Sequence, residues 1–148
     1  MEPELVQRYV EEGALRIEWR DFAYLGQESV NAALAARAAQ EQGMFWEYHD
    51  ALYQSQRSIN GGTFSDEKLI ELAEELGLDT ETFEASLTSG RFEEVVRRDL
   101  LEAQDAAIQG TPSFIINEQR LVGPWHLEDF ERIIEEEAQK AESQAEGA

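Results

Sequence analysis

The feature that most limits what this chain can become is the order of its patterns. A short alternating stretch, residues 15–22, and a second β-rich stretch, residues 113–123, enclose a long block of helical spacing. In the first stretch Leu15, Ile17 and Trp19 alternate with Arg16, Glu18 and Arg20. That is the period of a strand with one polar face. A helix over residues 4–12 precedes it, with Pro3 near its first turn, Leu5 and Tyr9 on its apolar stripe and Gly13 just past its end. Helix, glycine and strand in this order read as the second half of a βαβ unit. The strand that would open the unit is not among these residues.

The enclosed block reads as a series of helices. Residues 27–42 are rich in alanine, with Ala33, Ala36 and Ala39 small enough for close helix approach. After Gly43, residues 45–56 place Phe45, Trp46, His49, Leu52 and Tyr53 at helical spacing. Asn60-Gly61-Gly62 is a turn. Ser65 is the expected N-cap of a helix carrying Leu69, Leu72, Ala73 and Leu76, which Gly77 ends. Asp79 or Thr80 caps a short helix through Phe83 and Leu87, and Gly90 separates it from a helix over residues 92–108. Beyond Gly110-Thr111-Pro112, residues 113–117 and 120–123 read as a β-hairpin joined at Glu118-Gln119, with Asn117 able to take a positive φ. Leu127, Phe130, Ile133 and Ile134 face inward on a last helix over residues 127–137. The polar residues 138–148 are expected to fray. There is no internal repeat and no linker, so the helical block reads as an insertion within one domain.

Composition removes several function classes. The 148 residues hold 12 Lys plus Arg against 32 Asp plus Glu, a net charge of −20. Binding to a phosphate backbone needs cations this chain lacks, and an anionic membrane surface would repel it. No stretch approaches the roughly 20 apolar residues of a membrane span. Residues 1–13 have no apolar signal-peptide core, so the chain as given is expected to be cytoplasmic; a start lying upstream would leave its location open. Lys occurs only at positions 68 and 140. This Glu-rich, Lys-poor surface reads as a soluble face that resists association, with a salt-rich cytoplasm as the rarer reading. There is no cysteine, hence no disulfide, thiolate nucleophile or Cys-ligated metal. His49 and His126 are far apart without co-ligands, so no metal is expected; His49 reads as a hydrogen-bonded core residue and His126 as surface. Trp19, Trp46 and Trp125 read as core or interface, and Glu135 to Glu137 as a solvated helix face. Gly61-Gly62 has no phosphate-loop partner, and Ser29 and Ser113 no nucleophile elbow.

Four stretches together resemble a known family. They are Leu15-Arg16-Ile17-Glu18-Trp19-Arg20-Asp21-Phe22 after Gly13; Gln42-Gly43-Met44-Phe45-Trp46-Glu47-Tyr48-His49-Asp50-Ala51-Leu52-Tyr53; Leu76-Gly77-Leu78-Asp79; and Gly110-Thr111-Pro112-Ser113-Phe114 with Leu121-Val122-Gly123 behind it. In this order the chain resembles the thioredoxin fold and, within it, the DsbA-like disulfide oxidoreductases. The resemblance implies an α/β, thioredoxin-like domain, incomplete, with an inserted all-helical subdomain. Residues 4–26 and 109–137 would form the thioredoxin-like part, residues 27–108 the helical insertion and residues 138–148 a tail. It implies that Pro112 is cis and leads into a buried strand. Gly110, Thr111 and Pro112 would then bind substrate, presenting a backbone edge to an extended peptide. The implied partner is a thiol- or disulfide-bearing peptide or protein.

The departure from the family is the absence of its first, central strand and of the Cys-x-x-Cys motif that follows it. Without sulfur no thiol–disulfide exchange can occur, so no catalytic residue is assigned and no cofactor is expected. Three resolutions are open: a start set too late, a strand borrowed from a partner or second copy through the unpaired sheet edge, or two remaining strands that slide together. The reading is a DsbA-family thiol–disulfide oxidoreductase by resemblance, inactive as given. Its alternatives are a non-catalytic peptide- or partner-binding module, or a glutathione-dependent transferase or isomerase of the same superfamily.

Overall fold

The computed structural model describes residues 2–121 and 125–146, and the chain packs as two compact units, residues 1–19 with 110–148 and residues 20–109. In chain order the elements are α1 (Glu2–Leu5), a π-helical turn (Val6–Val10), α2 (Gln27–Glu41), α3 (Phe45–Ser55), α4 (Asp66–Glu75), α5 (Thr80–Thr88), α6 (Glu93–Asp105), β1 (Phe114–Ile116), β2 (Gln119–Leu121) and α7 (Leu127–Glu146). The unit boundary after Trp19 falls earlier than the expected start of the helical insertion at residue 27, because Asp21 bonds into the helices (below).

The unit of residues 20–109 is all helical. Ala35, Ala36, Ala38 and Ala39 of α2 are buried, and these small side chains let the neighbouring helices approach closely. Tyr48, Leu69 and Phe83 fill the centre, with the Tyr48 and Phe83 rings 5.3 Å apart. The Tyr48 hydroxyl donates to the Leu69 carbonyl at 2.8 Å and so joins α3 to α4. Burial pushes that hydroxyl well above the ordinary tyrosine pKa.

The helix ends show why the sequence breaks where it does. At the ends of α2 and α4 the chain turns through Gly43 (φ 76°) and Gly77 (φ 78°), conformations that cost a residue with a Cβ. The amides of Met44 and Leu78 then return to the carbonyls of Ala39 and Ala73, the six-to-one closure that satisfies a helix C-terminus. The end of α6 closes in the same way, with the Ile108 amide on the Ala103 carbonyl, but the left-handed residue is Ala107 (φ 53°). This ends α6 at Asp105, before the expected residue 108. At the start of α5, Asp79 is the cap: its carboxylate accepts the Thr82 amide at 2.7 Å, and the Thr82 side chain and amide together hold its pKa below the usual range. Ser65 occupies the N-cap of α4 without a side-chain cap bond.

The unit of residues 1–19 and 110–148 has its own core of Leu5, Tyr9, Leu121, Phe130, Ile133 and Ile134. The Tyr9 hydroxyl donates to Glu135 at 3.1 Å, and Arg8 pairs with Glu131 on the same helix face. β1 and β2 are antiparallel, with Phe114 opposite Leu121, Ile115 opposite Arg120 and Ile116 opposite Gln119. The tight turn therefore lies at Asn117 and Glu118, one residue before the expected joint, with Asn117 at φ 52°. Val122 and Gly123, expected in the second strand, lie outside the described residues.

Two expectations are corrected. Residues 15–19 alternate in exposure, with Leu15, Ile17 and Trp19 half-buried and Arg16 and Glu18 exposed, yet residues 15–22 form no β-ladder. Period two supplies a face, but a strand also needs a neighbouring backbone, and the sheet among the described residues is β1–β2 alone. Residues 138–146, expected to fray, continue α7 to Glu146. Their Ala, Glu, Gln and Lys are strong helix formers, and Lys140 pairs with Glu137 one turn earlier at 2.6 Å.

Candidate functional site

The three residues singled out from the sequence, Gly110, Thr111 and Pro112, form the bend that leads into β1. The Ser113 hydroxyl donates to the Gly110 carbonyl at 2.6 Å and closes the bend on itself. The Thr111–Pro112 peptide bond is cis. Thr111 and Pro112 are exposed, and Gly110 is half-buried.

β1 itself is not the buried strand expected. Phe114 is 37% exposed and Ile115 53% exposed, because β2 is its one ladder partner among the described residues. Strand alternation sends Phe114 and Ile116 toward α7 and Ile115 to the opposite face. Phe114 meets Phe130 edge to face at 4.9 Å and Trp125 at 5.7 Å. Trp125 thus joins the rim of the strand, with its indole Nε1 buried and without a hydrogen-bond partner among the described residues. Ile115 shares its face with Arg120 across the ladder. The result is an apolar, exposed strand with one backbone edge paired, entered through a self-closed bend.

Glu137 of α7 holds the far end of the hairpin. Its carboxylate accepts hydrogen bonds from Lys140 (2.6 Å), Asn117 (2.9 Å) and Gln119 (2.6 Å). These bonds lower its pKa from 4.5 to about 2, the Lys140 bond contributing most. The hairpin turn is therefore tied to α7 through an ionised carboxylate, which fixes the orientation of β1 behind the bend.

Elsewhere the expected residues stay apart. His49 is buried on α3 among Phe45, Trp46 and Tyr53, with Nδ1 2.9 Å from Asp50. His126 is exposed near the start of α7. Among the described residues no three His, Cys, Asp or Glu side chains gather as a metal site, and no helix is long and apolar enough to cross a membrane.

One polar constellation was not expected from the sequence. Arg37 of α2 donates to Asp21 (2.8 Å) and to Asp99 of α6 (2.9 Å), and both carboxylates are almost fully buried. Asp99 also accepts the Asp21 amide and an Arg98 bond. A signal existed: Val96, Asp99, Leu100 and Ala103 follow helical spacing, which puts Asp99 on the inward stripe of α6. The cluster is saturated with mutual bonds and serves as a clamp on the segment before α2.

Helical block, hairpin and bend define the class: a thioredoxin-like fold with an extensive helical part and a small two-stranded sheet. A thioredoxin family model matches residues 1–136, and the chain belongs to that family. It is 30% identical over 142 residues to the "Probable disulfide bond formation protein D" of Bacillus anthracis, an alignment covering 93% of this chain and 64% of that protein. The chain thus spans somewhat under two thirds of that relative. Its structure is similar to the crystal structure of oxidised BdbD from Bacillus subtilis, with a TM-score of 0.81 and 22% identity over 93% of this chain and 76% of that one. It is also similar to the thiol-disulfide exchange protein α-DsbA2 of Wolbachia pipientis, with a TM-score of 0.68 and 26% identity over 79% and 62% of the two chains. The Wolbachia protein is described as a thiol-disulfide exchange protein and the Bacillus anthracis relative as a probable disulfide bond formation protein, whereas the present chain has no cysteine.

Proposed function

We propose that this chain is a peptide-binding module of the DsbA-like kind, in which residues 110–116 take an extended segment of a protein substrate and the 148 residues perform no redox step themselves. The observation that carries the reading is the Gly110-Thr111-Pro112 bend, whose Thr111 and Pro112 are exposed, leading into the exposed residues Phe114 and Ile115. An exposed stretch of backbone presents amide and carbonyl groups to a second extended chain, and side chains at alternate positions then select it. Disulfide exchange begins with a thiolate, and this chain has none to offer.

Two measurements test the proposal. Insulin reduction and dithiol oxidation should proceed at the uncatalysed rate with the purified chain; turnover above that rate would overturn the assignment of no redox step. In an amide NMR titration with extended apolar peptides, the shifts should concentrate on residues 110–116. Binding that perturbs other residues and leaves these unmoved would remove the site.

A further inference from the structure

We propose that Asn60 is a self-modification site: attack by the Gly61 backbone converts its side-chain amide to aspartate and isoaspartate, a latch onto α2 holds that reaction back, and the product releases the latch. Of the chain's asparagines, Asn31, Asn60 and Asn117, Asn60 alone precedes a glycine. Glycine has no Cβ to shield its backbone nitrogen, so that nitrogen reaches the preceding side chain most readily. Asn60 and Gly61 are both exposed, which admits the water and hydroxide the reaction needs. The Gly61 nitrogen gives its proton to hydroxide and attacks Cγ of Asn60. A nitrogen–Cγ bond forms, the bond from Cγ to Nδ2 breaks, and Nδ2 leaves as ammonia with a proton from water. A second water then opens the cyclic imide. Cleavage at Cγ yields aspartate. Cleavage at the residue's own backbone carbonyl yields isoaspartate, with the main chain rerouted through the side chain.

The latch is reciprocal. Asn60 Nδ2 donates to the Leu25 carbonyl at 3.0 Å, and Asn60 Oδ1 accepts the Glu28 amide at 3.3 Å. The Asn60 side chain thus satisfies one of the amides at the start of α2, whose N-cap, Gly26, has no side chain to do so. A Cβ at Gly26 would collide with the Asn60 carboxamide, so the glycine makes room for it. In return the Glu28 carboxylate accepts the amides of Gly62 at 2.5 Å and Phe64 at 3.3 Å. The Gly61 amide itself donates to the Ser58 carbonyl at 3.3 Å. Both reacting groups are therefore occupied, and the reaction waits on local opening of residues 58–64. The aspartate product has no N–H for the Leu25 carbonyl and sets a second carboxylate beside that of Glu28. Isoaspartate adds a carbon to the main chain between residues 60 and 61, which shifts Gly62 and Phe64 off the Glu28 carboxylate.

The test incubates the whole chain at mildly alkaline pH and follows each asparagine by peptide mass spectrometry, which reads the exchange of ammonia for water. An isoaspartyl methyltransferase assay reads the second product. The folded chain should be modified at Asn60 before Asn31 and Asn117, and at least about tenfold more slowly than the chain unfolded in guanidinium. Glu28→Ala removes both carboxylate bonds to the loop and should speed the reaction about tenfold, with the circular dichroism spectrum unchanged. Asn60→Gln, whose longer side chain closes the ring poorly, should abolish it. In Asn60→Asp, native-state hydrogen exchange at Gly62 and Phe64 should quicken severalfold while exchange in α5 stays as in the parent. Equal rates in the folded and unfolded chains, or a rate indifferent to Glu28→Ala, would overturn the latch as the control. Modification of Asn31 or Asn117 ahead of Asn60, or none at Asn60 even in Glu28→Ala, would overturn the site. Unchanged exchange at Gly62 and Phe64 in Asn60→Asp would overturn the release.

Discussion

Glu137 shows how much one side chain on a helix surface can organise. Three donors converge on it from the turn, the second strand and its own helix, and together they hold its pKa at about 2 against an ordinary 4.5. A carboxylate with a lowered folded-state pKa contributes stability that is present above the unfolded value and lost as pH falls through the folded one. That contribution is therefore fully present above pH 4.5 and fades as pH falls toward about 2. Glu137→Gln keeps the shape and removes the charge. Its urea midpoint should fall at pH 7, and its stability should decline less steeply than the parent's between these pH values. Parallel acid profiles for the two proteins would refute the assignment.

At the scale of elements, α6 carries both a weak end and a strong anchor. Its C-terminus closes like those of α2 and α4, yet uses Ala107 where they use glycine. Ala107→Gly removes the Cβ from a left-handed position and should stabilise the chain by about 0.5–1 kcal/mol, read from the shift in urea midpoint. A destabilised variant would mean that the methyl group has a packing role outweighing its backbone cost. The anchor is Asp99. Arg37→Met would leave Asp21 and Asp99 facing one another without their shared cation. Removing one partner from a buried ionic cluster costs about 3–5 kcal/mol. Equilibrium unfolding should show a loss of that size; a change below about 1 kcal/mol would place the cluster in the class of solvated surface pairs.

For the whole molecule the governing quantity is charge. Carboxylates outnumber cations 32 to 12, so the folded chain works against its own repulsion. Raising ionic strength from about 0.01 M to 0.15 M shortens the screening length from about 30 Å to 8 Å. The urea midpoint should rise over that interval. A midpoint that fell with salt would mean that the ion pairs of α6 and α7 outweigh the net repulsion.

Features whose physics is local are legible in the order of the residues alone. A helix bonds within its own segment, so the spacing of Leu69 and Ala73, the cap at Asp79 and the glycines at 43 and 77 marked helices that the structure contains. The absence of cysteine likewise excludes a thiol reaction for these residues without any coordinates. Features that need a partner from far along the chain emerge only on folding. The alternation in residues 15–22 was legible as a face, but whether it joined a sheet depended on a distant backbone. Gly110, Thr111 and Pro112 were legible as a bend before a strand, whereas the exposure of Ile115 was not, because it follows from what covers β1. Asp99 reads in sequence as one more acid among many. The long-range meeting with Arg37 and Asp21 makes it a buried anchor, since a charge can leave water only where its partners have been brought to it.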